Sequence, residues 1–316
     1  MQEHSIKKYT DEILRVFNEV IQDYYADAFL LSGGLDTSIV AALVSRYFKP
    51  ITLSVGFSDS DAPDLYYAKI VADRFSFQNF VKLFTLEEAA EAAEYVIKTL
   101  RTFDPMEIRN DITIYIGLKY LKEFGVKSVL TGDGGDELFA GYSFMFELEP
   151  CDVDKWITEG VERWSFSAKP IGESLGLRVF QPILDERIID LALKIPAELK
   201  IAERKGITHG KYILRKAFEE ILSPDVVWRP KYPIEAGSGS TNLSTIFCIE
   251  TEEFNDLSKI VPLDSQEQAY YFKIYRETVG EIPPPNDNEK ICPRCGGGVA
   301  MNKNYCKICG LYPVKN

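Results

Sequence analysis

Four short apolar runs recur along the first 140 or so positions, each closed by turn residues and separated from the next by a helix-forming stretch. They are DAFLLS from Asp27, PITLSVGF from Pro50, QNFVKLFT from Gln78 and VKSVLTG from Val126. After the first run, DTSIVAALVSRYF sets Ile39, Val40, Leu43, Val44, Tyr47 and Phe48 on one helical face. PDLYYAKIVADRF follows the same pattern. Thr85 and Glu88 stand in capping-box spacing ahead of EAAEYVIKTL. Continuously apolar strands separated by helices are buried on both faces, so residues 27–142 predict an α/β unit with a doubly wound parallel sheet. Ligands of such sheets bind at the carboxyl ends of the strands. Residues 1–25 read as an entry helix, and 150–277 as mainly helical, through DERIIDLALKI, KYILRKAFEEIL and SQEQAYYFKIYRETV.

Composition narrows the chemistry. Only His4 and His209 are present, which leaves Ser-His-Asp catalysis and histidine metal sites almost nothing to work with. Reaction chemistry then falls to carboxylates, lysines, backbone amides or a bound ion. A net charge of −12 argues against a nucleic-acid partner, because phosphate binding leans on clustered Lys and Arg. No stretch approaches the ~20 apolar residues of a membrane helix, and the amphipathic N-terminus lacks a secretory signal, so the chain reads as cytoplasmic with no membrane partner.

Two loops carry the functional signal. The first strand runs into Ser32-Gly33-Gly34-Leu35-Asp36-Thr37-Ser38 and straight on into a helix. Glycines let the backbone approach a ligand closely, and the helix start directs free N–H groups and partial positive charge at an anion. Ser32, Thr37 and Ser38 add hydroxyl donors. The pattern GxxxxGK[ST] of kinase-like phosphate loops is absent, since Gly210-Lys211 is followed by Tyr212. The second loop, Gly132-Asp133-Gly134-Gly135-Asp136-Glu137-Leu138-Phe139-Ala140-Gly141-Tyr142, closes another strand. Its acids would repel one another unless a cation sat among them, and a hard divalent ion shared with phosphates suits that place.

SGGLDTS together with GDGGDELFAGY resembles the ATP pyrophosphatase (adenine nucleotide alpha hydrolase-like) domain of asparagine synthetases. The resemblance continues through IRNDITIYIGLKYLKEFGVKSVL, GLRVFQPILDERIIDLALKIPAELK and KYILRKAFEEILSPDVVWRPKYPIEAGSG, over about residues 25–245. It implies that Ser32, Gly33, Gly34, Thr37 and Ser38 hold pyrophosphate, with Gly237, Ser238 and Gly239 nearby. It implies that Asp36 and Asp136 bind Mg²⁺, and that Leu30, Val55, Gly56 and Gly132 contact adenosine. Lys231, in Trp228-Arg229-Pro230-Lys231, matches the lysine that stabilises charge during adenylation. Asp133 stands where many relatives carry Glu, and would orient or deprotonate an incoming amine. Arg109 and Arg215 stay open between ligand contacts and ion pairs at the edge of the core.

The implied reaction is attack of a carboxylate, aspartate first, on the α-phosphorus of ATP, followed by attack of an amine on the acyl-adenylate. Glutamine-dependent members carry a nucleophilic Cys directly after the initiator Met. Position 2 here is Gln, so nitrogen is expected from free ammonia or a separate glutaminase subunit. The alternative is a tRNA-modifying, thiolating enzyme, because such enzymes also pair an SGGxDS loop with zinc ribbons.

Four of the six cysteines crowd the C-terminus as Cys292-Pro-Arg-Cys295-Gly and Cys306-Lys-Ile-Cys309-Gly. Two CxxCG knuckles read as a closed, structural Zn²⁺ site, with rubredoxin-like iron and redox disulfides as alternatives. The expected organisation is a synthetase-like domain over 1–277, a Pro-rich linker over 278–290 containing Pro283 to Pro285, and a zinc ribbon over 291–316. A module that small needs a metal staple. It could dock a partner, cover the site, bind RNA or stabilise the C-terminus.

Overall fold

The computed structural model describes residues 2–315. Helix α1 (Gln2–Ile21) leads into strand β1 (Ala28–Leu30), α2 (Leu35–Val44), β2 (Ile51–Phe57), α3 (Asp64–Phe75) and β3 (Asn79–Phe84). Then come α4 (Leu86–Leu100), α5 (Pro105–Glu123), β4 (Ser128–Leu130), the short α6 (Gly135–Leu138) and, after a 3₁₀ helix and two further α-helices, β5 (Arg178–Phe180). The five strands form one sheet in the order β3-β2-β1-β4-β5, every pair parallel. Chain order reverses between β1 and β4, so the loops leaving these two strands flank the crevice at the switch point. They are the two glycine-acid loops.

Successive strand residues point to opposite faces. Ala28 and Val129 enter the apolar layer containing α4 and α5, while Phe29 and Leu130 enter the layer built on α1 and α2. Helix α4 starts with the expected capping box: the Glu88 amide donates to Thr85 Oγ1 (3.3 Å) and the Thr85 amide to Glu88 Oε2 (3.0 Å). Helix α2 differs from expectation. It ends at Val44 and is buried over all of Ile39–Val44, so it has no single apolar face, and Tyr47 lies beyond it with 45% of its surface exposed. A helix placed between the sheet and other helices needs no polar side.

Strand β5 falls in a stretch read as helical. It spans three residues, and its Arg178 is exposed, so it offers neither an apolar run nor an alternation to detect.

The C-terminal module contains a hairpin pairing Glu289–Ile291 to Gly298–Ala300. It is docked on the sheet domain. The amide of Phe103 donates to Ile308 O (2.7 Å), Gln268 Nε2 to Cys309 O (2.9 Å), and the Tyr305 hydroxyl to Asp104 Oδ2. Its cysteines, Val299 and Val314 belong to the same apolar cluster as Phe103, Phe272 and Tyr275. No described helix is long and apolar enough to cross a membrane.

Candidate active site

The crevice between β1 and β4 opens into a cavity of about 470 Å³. In the β1–α2 loop the hydroxyls of Ser32 and Thr37 lie 3.1 Å apart, and the Gly34 amide donates to Ser32 Oγ (3.2 Å). Thr37 Oγ1 and Ser38 Oγ both donate to Gly34 O, at 3.2 and 2.7 Å. These bonds fix the turn at the start of α2, where free N–H groups and the helix dipole favour an anion.

Glycines allow the second loop to press against the first. A Cβ on Gly135 would stand 2.2 Å from Asp36 Oδ1, and one on Gly141 would stand 2.0 Å from Asp136 Oδ1. Without those side chains Asp36 and Asp136 come together around Lys211. The Lys211 ammonium bonds Asp36 Oδ2 and lies 2.7 Å from Asp136 Oδ1, and Lys231 Nζ lies 2.7 Å from Asp136 Oδ2. Burial works to raise the Asp136 pKa, yet Lys211 and Lys231 outweigh it and hold the group down to about 2. Burial, helped by the neighbouring Asp136 charge, raises Asp36 against the pull of Lys211. Burial alone would lower Lys211, but its two carboxylate partners push it up, so the ammonium persists.

Lys211 was given no role from the sequence, although it opens the stretch KYILRKAFEEIL that carries the helical reading and the family resemblance. It reaches the site from a left-handed backbone position (φ 54°) just ahead of the helix Tyr212–Phe218.

Asp36 Oδ1 is buried and lacks a hydrogen-bond partner, whereas Asp136 Oδ1 is buried in ion-pair contact with Lys211. An open carboxylate oxygen on Asp36, with the Asp136 carboxylate beside it and a phosphate-type loop adjacent, fits a hard divalent cation.

Of the residues assigned to nucleotide, pyrophosphate or catalysis, Leu30, Ser32, Gly34, Asp36, Thr37 and Val55 line the cavity, as do Gly132, Asp133, Asp136, Lys231 and Ser238. Gly33, Ser38, Gly56 and Gly239 stand behind that wall. Gly33 has φ +69°, and a Cβ there would meet Tyr67 and Ala68 backbone within 2.4 Å, so its work is to let α3 approach the loop. Ser38 is fully buried inside α2. Gly56 and Gly239 abut Ala62 and Ser60 respectively.

Asp133 Oδ2 accepts from Thr131 Oγ1 and Gln181 Nε2, both at 2.7 Å, and burial raises its pKa. Arg109 bridges Glu235 and Glu267. The Arg215 guanidinium donates to the carbonyls of Gly210, Val227 and Arg229. Both arginines therefore already hold structural partners.

At the C-terminus the sulfurs of Cys292, Cys295, Cys306 and Cys309 all lie within 4.8 Å of one another, and all four residues are buried. The pairs Cys292–Cys309 and Cys295–Cys306 are each 3.7 Å apart. A tetrahedron with metal–sulfur bonds of about 2.3 Å has edges of about 3.8 Å, so the thiols fit Zn²⁺. Sulfurs at 3.7 Å are too far apart for a disulfide, whose bond is about 2.05 Å. The two knuckles repeat one turn: Gly296 N donates to Cys292 O and Gly310 N to Cys306 O, each at 2.9 Å.

The profile of the asparagine synthase family matches residues 27–175 and 171–253. A probable glutamine-hydrolysing asparagine synthetase of Dictyostelium discoideum is 35% identical over 238 residues, covering 66% of this chain and 42% of that protein. The glutamine-hydrolysing asparagine synthetase of Gallus gallus is 33% identical over 230 residues, with 68% and 40% covered. The chain thus spans less than half the length of these relatives. Among solved structures, the NMN synthetase of Francisella tularensis aligns at 16% identity with a TM-score of 0.31, over 64% of this chain and 99% of that one. So remote a likeness adds nothing on substrate.

Proposed function

Since the chain belongs to the asparagine synthase family, we propose that it is an ATP-dependent, AMP-forming carbon–nitrogen ligase. It would activate a carboxylate as the acyl-adenylate and pass the acyl group to ammonia. Aspartate is the acid the family likeness puts first. The observation that carries this reading is the meeting of the Ser32–Ser38 loop, the Asp36–Lys211–Asp136 cluster and Lys231 on one cavity at the sheet's switch point.

Ser32 and Thr37 hydroxyls, with the amides at the start of α2, would receive the pyrophosphate that departs. Lys231 stands at the rim, where its ammonium would offset charge growing on the α-phosphate. Lys211 keeps the two carboxylates neutralised. Asp36 and Asp136 would hold Mg²⁺, which supplies charge neutralisation to the phosphates. Asp133, fixed by Thr131 and Gln181, would accept a proton from the amine; its burial favours the protonated form and so suits that task. Positioning and electrostatics carry such a reaction, because little covalent work falls to the protein.

The test is exchange of radiolabelled pyrophosphate into ATP with Mg²⁺, with and without aspartate, followed by detection of asparagine once ammonium is added. Aspartate-dependent exchange with asparagine formed supports the reading. Exchange that needs tRNA instead would move the protein to the thiolating alternative.

A further inference from the structure

The cavity carries more acid than its nucleotide loops use. Of the seven carboxylates on its wall, Asp36 and Asp136 are matched by Lys211 and Lys231, and Asp64 by Arg229. The fourth cation, Arg215, is spent on backbone carbonyls. Asp133 and Glu137 take neutral donors, from Thr131, Gln181 and Tyr142. Glu107 and Asp111 remain.

These two lie one turn apart on α5, on one face of the helix, and both line the cavity. Asp111 is 1% exposed. Its Oδ1 accepts from Ser167 Oγ, while Oδ2 has no hydrogen-bond partner among the described residues. The basic groups around this wall are few. Arg109 on the same helix is held by Glu235 and Glu267, while Lys307 and Tyr305 of the C-terminal module act on Glu107. Asp104, at the start of α5, takes the Tyr305 hydroxyl. A buried acceptor without a partner is costly, and a ligand donor at that point removes the cost. Burial and the neighbouring Glu107 push Asp111 well above the usual carboxylate range, which is the response of acids lacking a counter-ion.

We infer that Glu107 and Asp111 form a subsite for an ammonium group carried by the acid that is activated, so that the enzyme selects amino acids over their des-amino counterparts. Several N–H donors on one small cation satisfy both carboxylates, whereas a methylene in the same place leaves Asp111 Oδ2 unpaired. This rests on the adenylation reading of the same cavity.

The two are separated by measuring binding and exchange independently. The full, metal-loaded chain, saturated with a non-hydrolysable ATP analogue, is titrated calorimetrically with matched acids: aspartate and succinate, glutamate and glutarate, γ-aminobutyrate and butyrate. In at least one pair the ammonium member is expected to bind about tenfold or more tightly, as a charge-assisted contact requires. Asp111→Asn, close to isosteric, should abolish that preference and leave the dissociation constant of the ATP analogue within about twofold; Glu107→Gln should weaken it. Circular dichroism verifies that each variant is folded. Equal binding of both members in every pair, no binding of any acid, or a preference that survives in Asp111→Asn overturns the inference. Preference without pyrophosphate exchange leaves the subsite standing and sinks the adenylation reading alone.

Discussion

The molecule gathers two clusters of four chemically active side chains, and they are built in opposite ways. In the C-terminal module, Cys292 and Cys309 are 17 positions apart, and each knuckle is closed by its own turn. In the cavity, Lys211 is 175 positions from Asp36, and Lys231 is 95 from Asp136. The cysteine cluster is local, and one metal fits its geometry. The Asp-Lys cluster is assembled from distant parts of the chain and is held by opposite charges, with Asp36 Oδ1 left without a partner. On the proposed reading the first would be a fastener and the second a receiving site.

The fastener is nevertheless wired to the site. Tyr305 bonds Asp104, whose Oδ1 accepts the Met106 amide as the N-cap of α5, the helix bearing Glu107 and Asp111. Lys303 Nζ donates to Arg163 O (3.0 Å), one residue before the cavity-lining segment 164–168. The largest expected effect follows. In metal-coupled modules, binding contributes about 10 kcal/mol to folding. Cys292→Ser with Cys295→Ser should lose the metal, unfold the module and lower the thermal transition of the whole chain by several degrees. Metal content by mass spectrometry and calorimetric melting check this. A transition that does not move would make the module an independent appendage.

Next in size is Lys211→Ala. It leaves Asp36 and Asp136 facing each other in the interior, and loss of one partner from a buried ion cluster costs about 3–5 kcal/mol. Urea denaturation should show that loss, and Mg²⁺ should restore part of it by taking over the neutralising role. If Lys211→Ala is no less stable than the parent protein, the carboxylates are not under mutual strain and the receiving-site description fails.

A third expectation concerns pH. Burial, with the Asp136 charge beside it, pushes Glu137 up from 4.5 to about 7 although the Tyr142 hydroxyl bonds it. A folded-state pKa above the unfolded value stabilises the protein fully below about 4.5, and that contribution disappears as pH rises through about 7. The parent protein should therefore lose on the order of 2–3 kcal/mol across that window relative to Glu137→Gln. Denaturation midpoints of both proteins at several pH values measure it. Parallel curves would mean that Glu137 is ionised at no cost.

Legibility in the sequence followed the same divide between local and assembled. Both glycine-acid loops and the two CxxCG knuckles announce themselves because each is a turn with its ligands inside it. The α/β alternation was readable where strands are apolar runs; β5 was not, with three residues and an exposed Arg178. Lys211 left no local trace, since its partners lie in loops far away in the chain. Asp111 did leave one. It occupies the stripe of α5 that holds Ile108 and Tyr115, both buried, and an acid on an apolar stripe must meet something inside the protein.

The smallest stability change should come from the residue with the largest catalytic one. Lys231 touches Asp136 at 2.7 Å, as Lys211 does, but its side chain is 35% exposed against 5% for Lys211. Water screens that pair, so Lys231→Ala should shift the denaturation midpoint by about 1 kcal/mol or less. Its ammonium also lies 5.6 Å from the Tyr142 ring centre, a contact too exposed to change that balance. Pyrophosphate exchange in Lys231→Ala should fall at least about a hundredfold while ATP binding persists, as expected when a charge needed at the reacting phosphorus is removed. With those two outcomes the lysines would divide the work on one carboxylate, the buried one holding the fold and the rim one serving the proposed reaction. Exchange unchanged in Lys231→Ala would reverse that division and move the search for the reacting cation to Lys211.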